Sequence, residues 1–189
     1  MRRSKLPLVL VLVFLVSALG IVPLLAAIKA TTLKELLDIS TGVVCGEITK
    51  KEIVRFDWGD DRDVTHTILT IKGEDLLTGE PVTREVYYMG GIWRGQLDSP
   101  NTAPKEHQTR IGATVVAFYW FDDDLVPGGA NRIFNFANLN QVQRGIGSPT
   151  VIGNGEGAAV PYNIKLTGLR LEIQSLWSEI QEQRASGRK

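Results

Sequence analysis

One cysteine, two histidines and two methionines are all that 189 residues contain of the common soft metal ligands. A single cysteine, Cys45, excludes an intramolecular disulfide, so no disulfide framework holds the fold. His66 and His107 stand without C-x-x-C or H-x-x-x-H spacing beside them, which leaves no zinc site. There is no G-x-S-x-G elbow, so a hydrolase of that kind has no nucleophile. Gly153-Asn154-Gly155-Glu156-Gly157 is glycine-rich, yet Ala158 to Pro161 intervene before any helix, and a phosphate loop needs the helix to follow at once. Nor is there a surplus of one charge: 21 Lys and Arg face 21 Asp and Glu. No nucleic-acid partner follows from an overall basic field, because there is none.

Acids are also missing from the first 30 residues, which carry Arg2, Arg3, Lys5 and Lys29. Behind Met1 to Lys5 comes an apolar run that opens at Leu6 and closes at Ala27, interrupted only by Pro7, Ser17, Gly20 and Pro23. It has no polar face, as a buried helix of a globular protein would. Its length suits a membrane span, whereas Ala18-Leu19-Gly20 and Ala26-Ala27 offer small residues for signal cleavage. Residues 1–30 therefore read as a signal peptide or a membrane anchor. In both readings the basic N-terminus stays in the cytoplasm and the rest lies outside it, anchored to the cytoplasmic membrane or secreted. A lipoprotein reading of Cys45 fails, because it stands far beyond the apolar run and follows Val44. It reads instead as a buried strand residue.

Residues 31–185 read as one exported domain. Thr32 and Glu35 have capping-box spacing and open a short helix ending near Ile39. Strands follow: Val43 to Ile48, resuming at Glu52 to Phe56; Val64 to Ile71, rich in β-branched residues; Val82 to Met89 after a Gly-Pro turn. A polar loop then runs through His107. Thr114 to Phe121 is uncharged for eight residues and reads as central and buried on much of both faces, or buried on one and covered by a helix on the other. Arg132 to Phe136 alternates as a fifth strand, and Thr150 to Ile152 offers a short sixth. Leu169, Ile173, Leu176, Trp177 and Ile180 form one apolar stripe on a C-terminal helix, and residues 186–189 are a disordered basic tail. The fold class is mainly β: a small antiparallel barrel of five to six strands, like the oligonucleotide/oligosaccharide-binding (OB) fold. A short N-terminal helix and an amphipathic C-terminal one accompany it. A β-sandwich is the alternative.

The pieces Val43-Val44-Cys45-Gly46, Thr65 to Thr70, Leu76 to Gly79, Gly90-Gly91 and Gly112 to Phe121 stand in an order that resembles a loosely defined set of exported bacterial proteins. The layout is similar to the netrin-like barrel of the tissue inhibitors of metalloproteinases, from Thr31 to about Ile152. The resemblance implies an OB-type barrel. It implies no inhibition, because those inhibitors act through an N-terminal cysteine and several disulfides, which this chain lacks.

Two candidate sites remain. Asp57, Asp60, Asp61 and Asp63 in one turn could hold calcium, although their spacing is not that of the calcium loop and a solvated turn is the plainer reading. Asp122-Asp123-Asp124 is a second acidic turn, and a cation between the two needs both at one end of the barrel. Trp93 and Arg94, with Trp58, could form a binding platform for a peptide or glycan. No catalytic constellation and no cofactor other than calcium emerge. The sequence therefore reads as a binding module for an envelope protein or surface polymer. The alternatives are a divalent-cation-dependent hydrolase working through the acidic turns, and a structural envelope component.

Overall fold

The computed structural model of the protein describes residues 32–56, 63–98, 103–126, 128–140, 148–155 and 158–187. Helix α1, Leu33–Ile39, starts on the expected capping box: the Thr32 hydroxyl accepts from Glu35 N at 3.2 Å, and the Glu35 carboxylate accepts from Thr32 N at 2.9 Å. Two of the orphan amides of the first turn are thereby satisfied. Strands β1 (Gly42–Phe56), β2 (Val64–Asp75) and β3 (Pro81–Met89) form a meander. Two short strands, β4 (Gly91–Trp93) and β5 (Gln96–Asp98), make a separate hairpin, followed by a 3₁₀ turn at Glu106–Gln108. Then come β6 (Thr114–Asp122), β7 (Ala130–Asn140), β8 (Thr150–Val151), β9 (Ile164–Lys165) and α2 (Leu166–Ala185).

The hydrogen-bonded order is β3-β2-β1-β6-β7, and β7 returns to β3 through a parallel pairing of Tyr87 with Arg132. That contact closes the sheet, which decides for a barrel over a sandwich. A three-strand meander whose first strand pairs the fourth barrel strand, while its third meets the fifth, is the OB-like arrangement. The closing pair is parallel, which corrects the expectation of an antiparallel barrel throughout. Strands β8 and β9 extend the sheet beyond β7.

The barrel wall is buried on both faces along part of its circumference, which explains the uncharged run in β6. Val115, Ala117 and Tyr119 point inward among Val44, Ile48, Leu69, Ile71 and Val86. Val116 and Phe118 point outward, with Val43, Cys45 and Ala137, into a second core built by α1 and α2 through Leu36, Leu37, Leu169, Ile173 and Ile180. Each Val, Leu, Ile or Phe side chain among these contributes about 1.5–3 kcal/mol by leaving water. Asp38 with Arg184 at 3.2 Å and Lys34 with Glu179 at 2.5 Å join the two helices on the solvent side. Among the described residues no helix is long and apolar enough to cross a membrane; the run from Leu6 to Ala27 lies outside them.

Strand β1 is one continuous strand rather than two, with a bulge between Ile48 and Lys50 that lets it bend around the barrel. At its inner end Gly46 faces Gly73 on β2. A Cβ on Gly46 would lie 2.4 Å from the Lys72 carbonyl oxygen, and one on Gly73 would lie 2.0 Å from that of Cys45. The two backbones come too close for any side chain between them.

Candidate functional site

Asp57, Trp58, Asp60 and Asp61 lie outside the described residues. Asp63 lies within them, at the entry to β2, and its carboxylate is already taken by Arg55 Nε at 3.0 Å. In the second acidic turn, Asp122 pairs with Arg132 at 3.0 Å, and its other oxygen accepts from Asp124 N at 3.0 Å. A cation would have to displace a guanidinium at either place. Among the described residues no three of His, Cys, Asp and Glu gather in a way that could hold a metal. The stems of the two turns do meet: Phe56, at the end of β1, packs on Leu125, Val126 and Ala130, with Tyr87 alongside.

Cys45 and His66 sit in walls, not in clefts. Cys45 is buried on the outer face of β1, and burial pushes its thiol up to about 12, so it stays protonated and unreactive at neutral pH. His66 is 1% exposed on β2, its ring edge-on to Phe56 at 5.5 Å. Nδ1 lies 3.3 Å from the Val64 carbonyl oxygen, and Nε2 is buried with no hydrogen-bond partner among the described residues. Burial holds its pKa below the ordinary imidazole value and outweighs the Val64 carbonyl, which raises it; nearby Arg132 lowers it further and Asp98 raises it.

The platform residues Trp93 and Arg94 belong to the β4–β5 hairpin, where the sequence pattern predicts only loop. Arg94 and Gly95 have φ of 49° and 81° between Trp93 and Gln96, the paired positive values of a two-residue type I′ turn. That turn ordinarily carries Asn-Gly or Asp-Gly, and Arg in the first place hides the signal. Trp93 is half-buried with the Arg94 guanidinium 5.9 Å from its ring centroid. The other face of the ribbon carries Ile92 opposite Leu97, which are 46% and 75% exposed. The hairpin pairs with no other strand among the described residues. Its root is fixed: the Thr67 hydroxyl donates to Gly90 O at 2.6 Å, and a Cβ on Gly91 would touch Thr67 and Ile53.

Hollows also open elsewhere on the described surface. One, of about 370 Å³, lies between the 3₁₀ segment and the β7–β8 region, lined by His107, Arg110, Thr114, Asn138 and Ile152 among others. Another, between α1 and the end of α2, is lined by Lys34, Glu35, Asp38 and Arg184, of which Asp38 and Arg184 pair with each other and Lys34 with Glu179. No family model, curated protein or solved structure matches the chain.

Proposed function

We propose that this protein is an exported binding module, anchored by or cleaved after the apolar run from Leu6 to Ala27, that docks a protein of the envelope through its β4–β5 hairpin. The observation that carries this reading is the Ile92–Leu97 pair, two large aliphatic side chains left in water on a ribbon whose backbone edges pair with nothing described. Such an edge recruits a strand from another chain. Aliphatic side chains beside unpaired backbone edges suit a protein segment, which can pair with the ribbon and cover them at once. The strained backbone at Arg94 agrees, since residues held at positive φ gather at ligand clamps. The netrin-like likeness belongs to the same proposal and is supported by the strand order alone. The hydrolase alternative is disfavoured by the arginines that hold Asp63 and Asp122.

A photo-crosslinking side chain placed at position 97 of the full-length protein in its native cells tests this. A discrete protein adduct is expected at position 97, abolished when Ile92→Asp is added, and absent when the same probe sits at the equally exposed Leu171 on α2. Equal adducts at both positions, or none at 97, would refute docking through the hairpin.

A further inference from the structure

The cleft of about 370 Å³ shares no lining residue with the hairpin. Its size falls within the range that small-molecule sites occupy. Its walls are tied to one another. Asn138 Nδ2 on β7 donates to Gln108 O at 2.8 Å, Asn154 Nδ2 donates to Phe136 O, and Gly112 N donates to Ile48 O at 2.8 Å. The space is thus preformed, and a ligand need not order it.

The chemistry of the lining is uneven. Among the described residues it contains no carboxylate, but two basic groups, Arg110 and His107, both exposed at the rim. Among the described residues no acid pairs with Arg110, whereas Lys51 close by is neutralised by Glu106 at 2.8 Å. Glu47, opposite Thr114 on the neighbouring strand, faces Lys72 on its other side. Carboxamides of Gln108 and Asn154 and the hydroxyl of Thr114 add donors and acceptors, while Leu139, Ala113 and the 42%-exposed Ile152 add an apolar strip. A polar edge, an apolar face and one cation are the complement of a sugar ring bearing a carboxylate.

We propose that this cleft binds an acidic sugar, with its carboxylate on the Arg110 guanidinium and its ring over Ile152. The site is separate from the hairpin, so the protein carries two binding surfaces. The test is calorimetric titration of the full-length protein in detergent micelles with glucuronic acid, glucose, acetate and inorganic phosphate. Glucuronic acid is expected to bind about tenfold more tightly than glucose, the scale of one charge-assisted hydrogen bond, and more tightly than acetate, which has the carboxylate but no ring to lie over Ile152. Arg110→Gln, at an exposed position, is expected to abolish that preference, and Ile92→Asp in the hairpin to leave it intact. A glucuronate-bearing oligosaccharide that binds as well as the free acid makes the source a surface polymer; preference for the free acid makes it a soluble sugar. Either upholds the site. Equal binding of glucose and glucuronic acid, equal binding of phosphate, no binding, or a preference that survives Arg110→Gln would overturn it. None of these outcomes depends on what the hairpin docks.

Discussion

Arg94 holds φ of 49°, a region in which an L-residue's Cβ crowds the next carbonyl at a cost of about 1–2 kcal/mol. Glycine carries no such cost, and the cation–π attraction that it would remove from Trp93 is an exposed one of about 0.5–1 kcal/mol. Arg94→Gly is therefore expected to leave the protein at least as stable, with Tm unchanged or raised by about 2–4 °C in a thermal melt. A fall in Tm would mean that Arg94 stabilises the fold through something beyond Trp93. His66 makes a different contribution. Its pKa in the folded chain lies below the 6.5 of a free imidazole, so the unfolded chain takes up the proton first as pH falls. The stability it supports is complete above that unfolded value and declines as pH drops through it towards the folded pKa. Urea midpoints measured from pH 8 down to 5 are expected to fall, and His66→Gln to flatten the part of the slope nearest neutrality.

At the scale of strands and helices, the Gly46–Gly73 crossing has the least tolerance. An alanine methyl at position 73 would sit 2.0 Å from a backbone oxygen, which no rotamer relieves. Gly73→Ala is expected to cost at least about 2 kcal/mol in urea denaturation, because β1 and β2 must separate to admit it. Much of the element order is legible in the sequence. The Thr32–Glu35 capping box, the β-branched run of β2, the uncharged β6 and the stripe of α2 each carry a local signal that tertiary packing then agrees with. The hairpin is not legible. Its three-residue strands are too short for alternation to register, and Arg94 stands where the turn ordinarily advertises itself with Asn or Asp. Strand β7 shows in the sequence only as Arg132 to Phe136, because Asn138 and Asn140 break the apolar pattern while the backbone ladder runs on. The acidic turns are visible at once, but the pairing of Asp63 with Arg55 and of Asp122 with Arg132 depends on which strands lie side by side. The cleft is invisible for a related reason: its walls come from three separate segments.

Across the whole molecule, α1 and the hairpin stand at opposite ends of β1, whose 15 residues have a contour of about 50 Å. Only residues 28–32 separate Ala27 from α1, a link of at most about 18 Å when fully extended. If the apolar run stays in the bilayer, the helical end is held close to it and the hairpin is carried outward. Among the described residues the barrel closes at a single backbone-bridged pair, Tyr87 with Arg132, the one parallel pairing in a wall otherwise sewn by antiparallel ladders. A meander can form as soon as its strands exist, whereas this seam joins segments 45 positions apart and must wait for β6 and β7. It is therefore the last stitch in and the first out. In hydrogen–deuterium exchange the β3 amides facing β7 are expected to exchange before any along the β1–β2 ladder, and their protection at the rate of global unfolding would contradict this. Under tension applied at Thr32 the domain would part along this line, as a cylinder with one weak weld opens into a sheet before the sheet itself tears.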